Sequence, residues 1–364
     1  MIPSPTISPA GQVAPRPPFQ LLACVFCFVA GLVLASFAIG RCLPFPDVPG
    51  IRQKLAWLGK HGDDFDVVFI GSSRVEQQII PEEFDRTAAS LGHPVRSFNA
   101  GMAAMVPPED SYVLEQILQR PHRRLRWVFL EIMPLGGQFD AALAGTGRMD
   151  YWHDIRRMEL LTQRAIEDVS RTWERPKTAQ SRYEELSHIA QGWSGHLQSF
   201  VTRGTNLGRG SVLLTSHFRH GKKTTHYDDA GPRHDGWVPA KPLFMSGKLL
   251  DDYERQFAAL SGNPSRHTAD PLSEDALRSN IELLRRHGIE TILFLPPTLA
   301  NSQFFPTGSL RGVPVFDFSD IDRYPELYAT GNHKDGVHLN LAGAEIFSRE
   351  LASLFAGQTK AVSR

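Results

Sequence analysis

The sequence predicts an α/β protein: a three-layer α/β/α sandwich around a mostly parallel five-stranded sheet, with one transmembrane helix at its N-terminus. Three observations predict it. Short, uninterrupted apolar runs such as Val67–Ile70 recur along the chain, as parallel strands buried on both faces require. Stretches with helix start and stop signals alternate with those runs, the rhythm of a layered α/β fold. Leu21 to Ile39 is apolar throughout except for Gly31 and Ser36.

Residues 1–18 are proline-rich and carry almost no charge, and are expected to be a disordered tail. Residues 19–41 read as a transmembrane signal anchor. Nineteen apolar residues at ~1.5 Å each reach roughly 28 Å, about the thickness of a bilayer core. A buried core helix would show a polar face, and this run has none. A cleaved signal peptide is the rival reading, with Ser36-Phe37-Ala38 as its cleavage signal. The long, charge-poor segment before the run favours an uncleaved anchor. Arg16 precedes the span, whereas Arg41, Arg52 and Lys54 follow it. That balance slightly opposes a C-terminal domain outside the cytoplasm.

Residues 42–64 read as a tether with one weak helix from Gln53 to Gly59. The α/β unit then spans 65–356, and 357–364 read as a tail. Val67–Ile70, Val95–Phe98, Trp127–Ile132, Thr291–Leu295 and Val313–Phe318 are the expected strands. Pro107-Pro108-Glu109-Asp110 opens a helix, with proline and acids in its first turn. Its pairs Val113/Ile117 and Leu114/Leu118 lie one turn apart on one face. Ser273 is the expected cap of a second helix, which ends in Arg285-Arg286-His287-Gly288. Ala342–Phe355 is the last. Residues 136–270 break the rhythm. They read as an insertion over the sheet, with helices at 153–170 and 180–200.

Lys plus Arg and Asp plus Glu both number 39, so no basic excess marks the chain as a general nucleic-acid binder. Cys24, Cys27 and Cys42 lie in or beside the apolar run. The rest of the chain therefore holds no internal disulfide and no cysteine-based zinc site. The stretch His217-Phe218-Arg219-His220-Gly221-Lys222-Lys223, with His226, Arg233 and His234 beyond it, has no regular metal spacing and reads as a solvated loop.

Two short motifs carry chemistry. Gly71-Ser72-Ser73-Arg74 follows the first strand, so its hydroxyls fall at the sheet edge where such folds bind ligands. Gly71 allows the sharp turn, and N–H groups at the start of the next helix can stabilise an oxyanion. By itself the turn is equally a set of capping serines. Asp335-Gly336-Val337-His338 places a carboxylate and an imidazole three residues apart before the final helix. A serine nucleophile needs such a base, and the base needs a partner that fixes its tautomer. Glu131 interrupts an apolar strand and reads as a buried, paired carboxylate.

The conjunction of Gly71-Ser72-Ser73 with Asp335 and His338 resembles the SGNH/GDSL hydrolase superfamily, over about 65–135 and 272–356. With Asn99-Ala100-Gly101 and the N-terminal anchor, it is similar to the branch that O-acylates bacterial exopolysaccharides or D-alanylates teichoic acids. The resemblance implies a flavodoxin-like fold, a triad of Ser73, His338 and Asp335, and an oxyanion hole from the N–H groups of Ser73, Gly101 and Ala104. Arg74 and Asn99 are candidate substrate-binding residues. No metal and no cofactor are implied. The implied activity is that of a serine esterase or O-acyltransferase acting on an acylated cell-surface polysaccharide or a small acyl ester. It would work from the periplasmic face of the cytoplasmic membrane, beside a multispanning acyltransferase. The alternative is a non-catalytic glycan-binding or scaffolding module. One departure favours it: Ile132-Met133-Pro134-Leu135 stands where the superfamily has an oxyanion-hole Asn. A second departure is Ala104 itself, at a position where the superfamily usually has glycine.

Overall fold

The computed structural model describes residues 18–46, 48, 50–136, 146–210, 230–239, 245–261, 267–268, 270–299, 303–306, 310 and 312–362. Most of the proline-rich tail and the histidine-rich stretch His217–Lys223, with His226, lie outside the described residues. Arg233 and His234 are described. Arg233 pairs with Glu82, and His234 stacks on Trp57 with ring centroids 4.7 Å apart.

The first helix, α1, spans Pro18–Cys42. Its segment Phe19–Cys42 is long and apolar enough to cross a membrane, and none of its apolar stretch is buried. There follow α2 (Ile51–His61), β1 (Val67–Ile70), α3 (Ser73–Gln78), α4 (Pro81–Ser90), β2 (Ser97–Asn99), α5 (Glu109–Leu118) and β3 (Trp127–Glu131). The middle of the chain is helical: α6 (Gly147–Asp150), α7 (Ile155–Glu174), α8 (Ala179–Thr205) and α9 (Lys248–Leu260). The remainder is β4 (His267–Thr268), α10 (Pro271–Arg286), β5 (Glu290–Leu295), β6 (Gln303–Phe304), β7 (Val315–Asp317) and α11 (Leu341–Val362).

Five strands form one all-parallel sheet in the order β2-β1-β3-β5-β7, and β4 pairs with β6 in a separate short ribbon. Successive strand residues point to opposite faces, and the sheet buries both. Val68 and Ile70 join a core with Ile51, Leu58, Leu114, Ile117 and Leu284, contributed by α2, α5 and α10. Val67 and Phe69 join the opposite core with Val75, Phe84, Phe347, Leu351 and Phe355, contributed by α3, α4 and α11. Apolar helices thus cover the sheet on each side, giving three layers. The order reverses at β1, where β2 pairs on one side and β3 on the other. That is the switch point at whose C-terminal edge open α/β sheets place ligands.

The structure corrects several expectations. The tether is not a free spacer, because Ile51, Lys54 and Leu58 form a buried face on the domain. Ser273 is not the cap of α10. Asp270 holds that position with Pro271 behind it, and Ser273 Oγ donates to Asp270 Oδ2 at 2.6 Å while accepting from Leu135 N–H at 2.7 Å. The expected tail at 357–364 is helical to Val362. There Thr359 Oγ1 bonds Phe355 O at 3.1 Å and meets His93 Nδ1 at 3.0 Å, which ties the last turns down. Helices α4 and α9 were not expected. The middle segment contributes to both cores, through Tyr151 and Trp152 on one side and Tyr253 and Leu260 on the other.

Candidate active site

The turn after β1 brings the chain from the sheet edge straight into α3. Ser72 is the N-cap of α3, its Oγ accepting from Arg74 N–H at 3.2 Å, and Ser73 is the first helical residue. Gly71 is required here by close approach. A Cβ at this position would collide with the Glu131 carboxylate and with Val75. Glu131 ends β3 and is buried beneath the turn. Its carboxylate accepts from Ser72 N–H at 2.5 Å and Ser72 Oγ at 3.1 Å, and pairs with Arg74 Nη2 at 2.7 Å. One buried acid therefore holds the two residues that flank Ser73, so Ser73 projects from a fixed backbone.

The partner loop comes from the far end of the chain. An isolated antiparallel bridge between His333 and Leu339 closes a tight turn around Asp335 and His338. His333 is buried inside it, with its ring nitrogens 2.8 Å from Leu327 O and 3.1 Å from Asp335 O. Burial pulls its pKa down. Asn340, not Asp335, caps α11, its Oδ1 accepting from Gly343 N–H at 3.1 Å. Asp335 is thereby left to its own turn. Gln78 Nε2 reaches Val337 O at 3.3 Å, and Lys334 pairs with Gln77. These two contacts pin the loop against α3.

The result is a hydrogen-bonded line. Ser73 Oγ lies 2.7 Å from His338 Nε2, and His338 Nδ1 lies 3.0 Å from both Asp335 oxygens. Asp335 Oδ1 also accepts from Val337 N–H and His338 N–H, each at 2.8 Å. With the carboxylate on Nδ1–H, Nε2 carries the lone pair and faces the serine hydroxyl, the arrangement a general base needs.

Partial burial alone would raise the Asp335 carboxyl. The hydrogen bonds from the His338 ring, from Val337 N–H and from His338 N–H, with the His338 charge, outweigh it and hold the group at about 2. A folded value below the unfolded value of ~3.9 stabilises the fold above that value and ceases to do so as pH falls through the folded value. The stability advantage of the native chain over Asp335→Asn is therefore expected to be flat from neutral pH to ~4 and to vanish by ~2. Denaturant unfolding across that range checks it, and an advantage lost already above pH 5 would contradict it.

The loop after β2 supplies the facing wall. Met102 N–H bonds Gly71 O at 2.9 Å, and a Cβ on Gly101 would collide with the Glu76 backbone. Two cations hold its carbonyls. Lys54 Nζ reaches Gly101 O at 2.5 Å, and Arg148 Nη2 reaches Ala103 O at 3.0 Å. Lys54 is buried with Glu76. Burial lowers its pKa to about 8, although Glu76 and Asp235 pull the other way. Neither Lys54 nor Arg148 was singled out from sequence. Lys54 left a signal, since it falls between Ile51 and Leu58 on the inward face of α2.

The oxyanion-hole expectation needs correction. Gly101 N–H is engaged by Asn99 Oδ1 at 2.9 Å and is not available to a substrate. Ala104 is exposed and takes a left-handed φ of 58°, a conformation that suits glycine, and its N–H bonds no other described residue. Ser73 N–H is likewise without a hydrogen-bond partner among the described residues. Two backbone donors remain. Asn99 is not a substrate residue: it is buried, and its Nδ2 bonds Val75 O and Ile79 O, each at 2.7 Å. Arg74 is half-buried and tied to Glu131, so it is not a free anion-binding group. Just after β3, Ile132 and Met133 are buried apolar residues and offer no side-chain donor. Comparison of the chain with family models, curated proteins and solved structures gave no match, so the site is read from its own geometry.

Proposed function

We propose that the chain is a membrane-anchored serine esterase or O-acyltransferase acting on acyl esters of a cell-surface polysaccharide. The observation that carries this reading is the hydrogen-bonded line from Ser73 through His338 to Asp335 at the sheet's switch-point edge. Ser73 Oγ attacks the acyl carbonyl carbon while its proton passes to His338 Nε2. Asp335 holds the imidazolium that forms. The N–H groups of Ser73 and Ala104 receive the oxyanion. His338 returns the proton to the departing alcohol, leaving an acyl-serine. Water then gives the free acid, or a sugar hydroxyl takes the acyl group, with His338 again as base. The same residues serve both outcomes.

Two features support a polymeric substrate at a membrane. Ser73, Asp335 and His338 are only partly buried, which suits reaction with a chain better than with a small enclosed ligand. Helix α1 fits a single-pass anchor, with the domain on the periplasmic side of the cytoplasmic membrane and within reach of a multispanning acyltransferase that supplies acyl groups.

The rival reading, a non-catalytic glycan-binding module on the same fold, is favoured by the hole with two donors. Losing one oxyanion donor costs ~10²–10³ in turnover. The full chain in detergent micelles is to be given an O-acetylated polysaccharide and p-nitrophenyl acetate. Acetate release or transfer that Ser73→Ala abolishes is the expected result. Polysaccharide binding that survives Ser73→Ala, with no acyl chemistry in either protein, would establish the rival instead.

A further inference from the structure

Where α8 ends, the domain touches the apolar helix α1. Asn206 Nδ2 donates to Ser36 O at 3.0 Å and lies 3.3 Å from Ser36 Oγ. Ser36 is six residues inside the end of a 24-residue apolar helix. Such a helix is ~36 Å long against a hydrocarbon core of ~30 Å, so a centred helix overhangs by ~3 Å at each end. Ser36 then lies roughly 6 Å below the hydrocarbon boundary, and the turn bonded to it must lie near that depth.

The turn is built for that environment. Hydrocarbon admits backbone and polar groups only where protein satisfies them. Asn206 uses both ends of its amide, its Oδ1 accepting from Arg209. Arg209 is buried, donating to Leu43 O at 2.6 Å and stacking on Phe45 at 3.6 Å. Thr205 Oγ1 returns to Val201 O at 2.6 Å. The exposed positions are apolar or small: Val201 at 42 %, Leu207 at 49 %, and the glycines 204 and 208. Thr202, Arg203, Thr205 and Asn206 are half-buried, and the Arg203 guanidinium lies over the Phe45 and Tyr112 rings.

We propose that the C-terminal end of α8 and its turn, Val201–Gly208, form a foot embedded in the outer hydrocarbon layer of the bilayer, in contact with lipid acyl chains. The cleft of ≈ 430 Å³ between α1 and this turn is lined by Leu32, Val33 and Phe37, with Arg41, Thr205 and Asn206 among its polar members, and is filled by an acyl chain along its apolar wall. The foot rests on the reading of α1 as a membrane span. It fixes the height and tilt of the domain, which a single spanning helix alone would leave free.

The test uses the full chain with Cys24, Cys27 and Cys42 replaced by Ser, bearing an environment-sensitive nitrobenzoxadiazole label at Leu207→Cys or, independently, Val201→Cys. The proteins are reconstituted in phosphatidylcholine vesicles with or without brominated acyl chains. Quenching of about twofold or more is expected at both positions, as for a group ~5–10 Å deep. A label at Tyr183→Cys, near the other end of α8, is expected to stay unquenched. A label on Cys24, with the other two cysteines replaced, reports the anchor separately. Leu207 and Val201 labels as unquenched as that at Tyr183, beside a quenched Cys24, would overturn the foot and leave the anchor standing. An unquenched Cys24 would overturn the membrane reading and the foot with it.

Discussion

Ser73→Ala and His338→Ala are each expected to lower kcat for ester cleavage by a factor on the order of 10⁴ or more, and the double variant to be no slower than either alone. The reason is the single line of hydrogen bonds. The serine hydroxyl is a poor nucleophile without His338 at 2.7 Å, and His338 has no proton to take once Ser73 is gone. Independent contributions would multiply instead, giving a double variant slower by the product of the two factors. Asp335→Asn is expected to fall short of these losses, since two backbone N–H groups still shape its turn. Steady-state turnover of p-nitrophenyl acetate by the four proteins decides between the two patterns.

The largest expected effect on stability is at Glu131. Arg74→Ala is expected to cost about 3–5 kcal/mol, because it strands a fully buried carboxylate without its cation. Glu131→Ala is expected to cost somewhat less, since the partly exposed Arg74 can turn to water. That variant still frees Ser72 N–H and Oγ, so the turn carrying Ser73 loosens and activity falls along with stability. Denaturant unfolding of both variants and of the double variant measures the coupling. A cost below about 1 kcal/mol for Arg74→Ala would mean that Glu131 does not depend on this cation, and would remove the pair as the organiser of the turn.

Much of this arrangement could be read in the sequence because it is local. An apolar run, a small-residue turn and a hydroxyl describe β1 and the start of α3 within a few residues, and Asp335 and His338 sit on one turn. The five strands and their alternation with helices followed from periodicity in the same way. What could not be read depends on distant partners. Nothing around Asn99 tells that its amide meets Val75 O and Ile79 O from another element, or that its Oδ1 captures Gly101 N–H. The clamp of Lys54 on Gly101 O joins residues 47 apart. Helix α9 begins after Gly247 with no side-chain cap, so it lacks the signal by which helix starts are recognised. Residue types are local information, whereas the acceptor a given N–H finds is set by packing.

The central claim is that Ser73 is an activated nucleophile. The most direct measurement treats the full chain in mild detergent with a fluorophosphonate and locates the adduct by mass spectrometry, with Ser73→Ala alongside. The account predicts one phosphonylated serine, Ser73, and no adduct in the folded Ser73→Ala protein. No adduct on the folded native chain, or labelling at Ser72 or elsewhere that persists in Ser73→Ala, would contradict it.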